Sequence, residues 1–348
     1  MKFDYCIGNP PYQALVDWNG FAPPIYHLFM EEVYKIANIA ELITPARFLT
    51  NSGATPHEWN EKMLNDEHLK LIQYFTDSNT VFPNTGILGG VAITYRNANK
   101  SFEPIKIFIR SNELRNIATK IEIQKDFESI STFIYGQNKS NIDSLATDYH
   151  DFTYSDKRFR NNAFEVIPAF IDSKPIDTSN YIGIYGLLKS KRMVKYINKK
   201  YVDMTHENIS KYKIVIPGVN GCHPVEKGFT TPVLGTCVIC GPNIGYTQTF
   251  LSIGKFDTKQ EAVNCLKYIN TKFVRAAIGI LKTANGNGED TWKYVPVQNF
   301  TNNSDIDWSK SLHEIDLQLY KKYNFSKEDI EFIEETILDK NDSDIIEL

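Results

Sequence analysis

Within this 348-residue chain, Gly8-Asn9-Pro10-Pro11-Tyr12 is the stretch whose residue types and spacing are best suited to chemistry. Two successive prolines fix φ near −65° and remove two backbone donors, so the loop presents carbonyls, and Asn9 adds a side-chain amide. The result is an array of acceptors suited to an NH2 group. An amino nitrogen on an aromatic ring is a poor nucleophile, because its lone pair is delocalised into the ring. Hydrogen bonds from its two N–H groups to the Asn9 side-chain oxygen and the Pro10 carbonyl would draw the nitrogen toward tetrahedral geometry and free that lone pair. Tyr12 can stack on the flat face of the ring, and base–aromatic stacking contributes about 1–3 kcal/mol per base. That is comparable with the cost of unstacking a base from duplex DNA. Asn9, Pro10, Pro11 and Tyr12 are therefore candidate catalytic residues for chemistry on a flipped adenine.

The elements that must position this loop follow from polarity patterns. Phe3-Asp4-Tyr5-Cys6-Ile7 alternates and predicts a strand leading into it. Ile25 to Ala37 places Leu28, Phe29, Glu32, Val33 and Ile36 at helical spacing, predicting an inward apolar face. Asn38 to Phe48 predicts a second buried strand, Ala40-Glu41-Leu42-Ile43, ending at Thr44-Pro45. A helix over Pro56 to Leu64 and strands over His68 to Phe75, Gly89 to Tyr95 and Ile105 to Ile109 are expected next. Strands alternating with helices predict an α/β fold with a parallel or mixed sheet, whose ligands gather at the carboxyl ends of strands.

Asn9-Pro10-Pro11-Tyr12 after a hydrophobic strand resembles motif IV of the S-adenosylmethionine-dependent DNA adenine-N6 methyltransferases. The wording Phe-Asp-x-x-Ile-Gly-Asn-Pro-Pro-Tyr-Gln, from Phe3 to Gln13, is especially similar to the Eco57I-type restriction-modification methylases. The resemblance implies a partial methyltransferase (Rossmann-like) sheet followed by a loop-rich α+β target-recognition domain. It also implies S-adenosylmethionine as cofactor, double-stranded DNA as partner and no metal. Phe82, in Val81-Phe82-Pro83-Asn84, is the candidate for the family's second base-stacking aromatic, beside the plainer reading that it caps the core. Glu41 to Phe48 resembles the family's motif VI strand and loop and is read as scaffold. The ending Glu-Ile-Asp-x-Gln-Leu-Tyr-x-Lys-Tyr is also similar to the carboxyl end of these methylases.

In that family the cofactor site lies upstream of the loop, as a glycine-rich turn after the first strand with an acid on the ribose and another near the adenine ring. Only eight residues precede Asn9, so the cofactor-binding residues are unknown. Ala284-Asn285-Gly286-Asn287-Gly288-Glu289 has suitable glycine spacing but follows a predicted helix, and is set aside; Gly286-Asn287-Gly288 reads as a turn. The chain is expected to be the carboxyl-terminal part of a methylase, beginning at strand four of the catalytic sheet, with a missing N-terminal half or a restriction subunit as a further partner. A catalytically incomplete DNA-recognition subunit, or a truncated remnant, is the alternative. Methylation of another planar amide or amine, such as a glutamine side chain, is a third, and RNA remains open as substrate.

The expected divisions are residues 1–112 for the catalytic half-domain, 113–300 for target recognition and 301–348 for an acidic helical tail. Helical stretches are predicted over Glu261 to Lys282, His313 to Tyr323 and Ile330 to Ile337, and β-type runs over Tyr212 to Pro217 and Thr249 to Ile253. Lys189, Lys191, Arg192, Lys195, Lys199 and Lys200 form the most basic stretch, interleaved with Tyr196 and Tyr201. Such residues contact phosphates and set affinity rather than sequence choice; a solvated helix face is the other reading. Lys157-Arg158 with Arg160 is a weaker candidate of the same type. Cys237-Val238-Ile239-Cys240, with Cys222-His223 and Cys265, resembles a zinc set only loosely, and the apolar run around it favours core positions.

The net charge is −4, yet the last 21 residues carry −8, leaving +4 for residues 1–327. That balance permits DNA binding without arguing for it. A hydrophobic content of 42% supports a sizeable core, and no apolar run reaches the roughly 18 residues of a membrane span. Five irregularly spaced cysteines do not form a disulfide framework, so a reducing, cytoplasmic location is expected.

Overall fold

A run in which apolar and polar side chains alternate presents its two kinds to opposite faces of a strand, and the first such run forms β1 (Phe3–Gly8). It is followed by α1 (Tyr26–Ile36), β2 (Ala37–Pro45), α2 (His57–Leu64), β3 (Leu69–Phe75) and β4 (Val91–Asn97). The structure is a computed structural model describing residues 3–15, 22–50, 54–151, 156–176, 178–221, 224–282, 285–341 and 346–348. It divides into two compact units, Met1–Arg110 and Ser111–Leu348.

In the first unit the sheet order is β1-β2-β4-β3. β1 and β2 are parallel, with Tyr5 opposite Ile39 and Gly8 opposite Leu42, whereas β4 runs antiparallel to β2 and β3. One face buries Leu42, Ala92 and Leu69 against Tyr26 and Met30 of α1 and Trp59 and Met63 of α2. On the other face, Phe3, Tyr5 and Ile7 are 52%, 45% and 74% exposed. The Tyr5 hydroxyl donates to Glu41 Oε2 at 2.9 Å.

In this unit two expectations fail for identifiable reasons. The inward face of α1 is Tyr26, His27 and Met30, while Leu28, Phe29 and Ile36 are exposed. The Tyr26 ring lies 6.4 Å from Phe48 and 6.2 Å from Trp59, and this aromatic cluster sets the rotation of the helix. Ile105 to Ile109 forms no strand, because Lys106 takes φ +52°, a left-handed conformation that ends extended pairing.

The return into β4 is unusually tight. Gly90 has φ +74°, and a Cβ there would stand 2.1 Å from the Phe75 carbonyl oxygen; at Gly89, φ +84°, it would stand 2.8 Å from Arg47 Cγ. The Gly90 carbonyl accepts from the Ala46 N–H at 3.0 Å, tying the loop to the end of β2.

The second unit contains α3 (Asn112–Glu122), β5 (Ile134–Tyr135), α4 (Ile142–Asp148), α5 (Ala163–Val166), β6 (Tyr181–Leu188), β7 (Lys191–Asn198), β8 (Tyr212–Pro217), β9 (Val238–Cys240), β10 (Ile244–Tyr246), β11 (Phe250–Phe256), α6 (Lys259–Asn270), α7 (Lys272–Leu281), α8 (Leu312–Lys322), α9 (Lys327–Thr336) and β12 (Ile346–Glu347). They build a three-stranded sheet, β10-β6-β7, and a five-stranded one, β12-β9-β8-β11-β5. The single helix expected over Glu261 to Lys282 is two. Thr271, at φ −60° and ψ 154°, interrupts it, and its hydroxyl accepts from the Val274 N–H to cap α7. α8 packs on α6 and α7, and α9 on α3 and α7, so residues 301–348 lie within this unit.

Gly90→Ala is expected to lower the unfolding free energy of the chain by about 2–4 kcal/mol, from left-handed strain plus the carbonyl overlap. Gly86→Ala, where the added Cβ meets nothing within 4 Å, should change it by no more than about 0.5 kcal/mol. Urea unfolding midpoints of the two variants check this.

Candidate functional site

The acceptor loop emerges at the carboxyl end of β1, where Asn9 and Pro11 are exposed and Pro10 and Tyr12 half-buried. Two backbone hydrogen bonds fold the chain back on itself: Ala14 N–H to the Pro23 carbonyl at 2.9 Å, and Ile25 N–H to the Tyr12 carbonyl at 3.1 Å. The start of α1 is thereby pinned under the loop. Phe82 comes from the segment between β3 and β4. Its N–H donates to the Ser78 carbonyl at 2.8 Å, while the buried Ser78 hydroxyl donates to the Thr85 carbonyl at 2.5 Å and accepts from the Ile87 N–H at 3.0 Å. The Tyr12 and Phe82 rings meet edge to face, 6.4 Å apart at 69°. Burial pushes the Tyr12 phenol up to about 12, and its hydroxyl has no hydrogen-bond partner.

Beside Tyr12 lies a pocket of about 210 Å³, walled by Pro24, Tyr26, Pro45, Arg47 and Thr55 among others. Arg47 Nε donates to the Leu88 carbonyl at 2.6 Å, and its stem packs against Gly89. Tyr26 is 2% exposed. Burial pushes its phenol up to about 12, against smaller opposing effects of the nearby Thr55 side chain, the Arg47 charge and the Phe48 backbone. Sequence reasoning missed these residues by treating Glu41 to Phe48 as scaffold. The available signal was position: Arg47 follows the carboxyl end of β2, beside the strand end that carries Asn9.

The basic stretch is a strand, not a helix face. β7 pairs with β6 antiparallel, Lys191 opposite Leu188, and Lys189 and Ser190 form the two-residue turn at φ +47° and +65°. Strand alternation places Lys191 and Lys195 on one face and Arg192 on the other. Four of the six cations are engaged within the chain. Lys195 Nζ pairs with Asp172 at 2.8 Å, and Arg192 donates to the Thr236 carbonyl at 3.1 Å. Lys199 Nζ donates to the Ser179 carbonyl at 2.6 Å. Lys200 Nζ pairs with Asp148 at 2.6 Å, which together with Tyr201 raises the lysine above its ordinary value. Arg158 and Arg160 both bond Asp156 and hold its carboxyl well below the usual range.

Cys237, Cys240 and Cys265 are buried, and burial raises their thiols, that of Cys240 to about 12. Cys222 and His223 lie outside the described residues. Among the described residues no three His, Cys, Asp or Glu side chains are grouped to hold a metal ion. Asn287, from the predicted turn, is buried and donates to the Pro217 carbonyl at 2.8 Å and Asn220 Oδ1 at 2.5 Å.

Comparison with known proteins reproduces the resemblance carried by the acceptor loop. Residues 1–82 match the model of the Eco57I restriction-modification methylase family, a match that ends short of the carboxyl-terminal half. A curated protein of Mycoplasma pneumoniae, described as an uncharacterized adenine-specific methylase, is 30% identical over 95 residues. The matched segment is 26% of this chain and about a fifth, 22%, of that protein's length. The type IIG restriction endonuclease BpuSI overlays on 92% of this chain and 48% of its own, at 10% identity and a TM-score of 0.34. The family-model match lies within the unit that carries Asn9, Tyr12 and Phe82.

The edge-to-face contact is expected to couple Tyr12 and Phe82 energetically. A double-mutant cycle of Tyr12→Ala and Phe82→Ala, read by unfolding, should give about 0.5–1.5 kcal/mol; a value indistinguishable from zero would mean that the rings do not meet.

Proposed function

We propose that the first unit is the acceptor side of a site-specific DNA adenine-N6 methyltransferase of a restriction-modification system. The observation that carries this reading is an Asn-Pro-Pro-Tyr loop at a strand's carboxyl end with a second aromatic, Phe82, held against Tyr12. The flipped adenine parts the two rings and stacks on Tyr12. Asn9 Oδ1 and the Pro10 carbonyl accept the two N6 hydrogens, and Pro11 keeps the loop rigid, so little reorganisation is required at the moment of transfer. The N6 lone pair is thereby directed outward, and the proton released after transfer passes to solvent.

S-adenosylmethionine would supply the methyl group. Among the described residues of this unit no glycine-rich turn follows a strand, so the acceptor loop does not by itself fit a complete cofactor site. β1 is an edge strand with Phe3, Tyr5 and Ile7 uncovered, whereas strands in parallel pairing are normally covered on both faces. This supports a cofactor-binding part supplied alongside β1 by further polypeptide, from the same longer protein or from a partner such as a restriction subunit. Within the second unit, residues 113–300 are proposed to carry target recognition on double-stranded DNA, with Lys189 and Lys191 of the β6–β7 turn on phosphates, and residues 301–348 to support them. No helix among the described residues is long and apolar enough to cross a membrane; the cytoplasmic location proposed for the protein rests on the methyltransferase reading. The same unfitted cofactor site favours, as second reading, a DNA-recognition subunit without activity of its own.

Asn9→Ala, assayed in an assembly that binds the cofactor, is expected to lose about 10²-fold or more of methyl transfer while DNA binding is largely retained; undiminished transfer would remove Asn9 from the proposed role. Calorimetry of S-adenosylmethionine with this chain alone is expected to show no binding. Micromolar binding would place the methyl-donor site within these residues.

A further inference from the structure

Adenine offers hydrogen-bond donors only at its exocyclic N6, while its ring nitrogens are acceptors. The loop at Asn9 and Pro10 therefore matches one end of the base and leaves the ring nitrogens without donors. The pocket beside Tyr12 has the complementary character. Arg47 lines it with a guanidinium, a group that only donates. That side chain is held by its Nε bond to the Leu88 carbonyl at 2.6 Å and by the close approach of Gly89 to its stem. Tyr26 also lines the pocket, is 2% exposed, and carries a hydroxyl that makes no hydrogen bond of ordinary geometry, with Thr55 and the Phe48 backbone close by. A phenol is protonated at neutral pH and burial raises it further, so the hydroxyl is able to donate. The remaining walls include Tyr12, Pro24 and Pro45, flat or apolar surfaces suited to a ring. At about 210 Å³, the volume lies below the roughly 300–1,000 Å³ of pockets for drug-sized ligands and is on the scale of one nucleobase.

We propose that this pocket takes the ring of the flipped base and that Arg47 and Tyr26 donate to its ring nitrogens. Selection of adenine is then divided between an acceptor end at Asn9 and Pro10 and a donor end at Arg47 and Tyr26. Guanine is disfavoured at both ends: it offers a carbonyl oxygen where the loop needs a donor, and ring and amino N–H groups where the pocket needs acceptors. The assignment rests on the methyltransferase reading of the loop. An adenine ring can come from the target strand or from the adenosyl group of the methyl donor; the pocket shares Tyr12 with the acceptor loop, and this commits it to the target strand.

The test is equilibrium binding of the full chain to a fluorescein-labelled single-stranded oligodeoxyadenylate and to the same oligonucleotide with 1-deazaadenine or 7-deazaadenine. Both analogues keep N6 and the backbone charge and lose one ring acceptor. Binding is expected to weaken about tenfold for at least one analogue. Arg47→Met and Tyr26→Phe should weaken oligodeoxyadenylate binding similarly and abolish that analogue difference. Tyr26→Phe removes an unpaired buried hydroxyl, so a purely structural role predicts an unchanged or higher melting temperature with binding unaltered, which would overturn the proposal. If binding depends on Asn9 and Tyr12 but neither on Arg47 and Tyr26 nor on the ring acceptors, the donor end is wrong and the methyltransferase reading survives. If binding shows no preference for adenine over thymine and no dependence on Asn9, both fall. Displacement by S-adenosylhomocysteine alone, in a manner lost in Arg47→Met, would assign the pocket to the cofactor and overturn the proposal.

Discussion

The carbonyl of Phe75 occupies the space that a side chain on residue 90 would need, so the chain can enter β4 only through a glycine in the left-handed region. Much of the candidate site hangs from that return. The loop it closes carries Phe82 to Tyr12 and the Leu88 carbonyl to Arg47. Its own carbonyl takes the Ala46 N–H, so the end of β2 and the end of the loop are fixed together. Arg47 is clamped between its bond to Leu88 and the surface of Gly89, which lacks the Cβ that would displace it. The site is thus placed by backbone contacts that depend on two adjacent glycines more than on any side-chain pairing.

The first unit also leaves polar atoms unpaid in its interior. Tyr12, Tyr26, His27, Trp59 and Thr44 each bury a side-chain polar atom without a partner, and each such group costs about 1–3 kcal/mol. Tyr12 and Tyr26 are on the pocket wall, and the rings of His27 and Trp59 pack against Tyr26 at 6.1 and 6.2 Å. The buried charges of the second unit behave differently. Lys213 Nζ reaches backbone carbonyls of Asn208, Lys211 and Gly241 at 3.0, 2.9 and 3.1 Å. Asp316 accepts the N–H groups of Lys272 and Phe273 at 3.0 and 2.8 Å, closing the start of α7. Burial pushes Lys213 down to about 8 and Asp316 up to about 7, yet neither is left unbonded. Unpartnered atoms also occur in the second unit, at Asn138 Nδ2, His206 Nδ1 and Asn208 Oδ1, so what sets the acceptor loop apart is that two of its unpartnered hydroxyls, on Tyr12 and Tyr26, stand on the wall of one pocket.

Sequence reading located the strands of the first unit well, because each alternates or runs apolar for a short length and is bounded by turn residues. It failed where conformation depends on contacts made far along the chain. Nothing near Lys106 announces a left-handed backbone, and Thr271 looks like an ordinary helix residue until its own hydroxyl caps the next helix. The hairpin at Lys189 and Ser190 uses positive φ without glycine or asparagine, so the run of lysines around it carried no turn signal. Asn9, Tyr12 and Phe82 were legible as types in a motif. Arg47 and Tyr26 were not, because their significance lies in a pocket assembled from β2, the start of α1 and the loop before β4, which no local window contains.

The intramolecular pairing of β7 also bears on thermodynamics. Each phosphate neutralised by a protein cation releases condensed counterions and steepens the fall of affinity with salt by about 0.9 per contact on a logarithmic scale. Lys195 and Lys200 already hold carboxylates, and Arg192 and Lys199 hold backbone carbonyls. A phosphate would have to displace those partners first, a carboxylate at Lys195 and Lys200 and a backbone carbonyl at Arg192 and Lys199, so each of these cations is less available than a solvated lysine. Were this strand to meet a polyanion, the salt exponent would therefore count Lys189 and Lys191 more than the whole basic run, and the number of lysines in the sequence would overstate it.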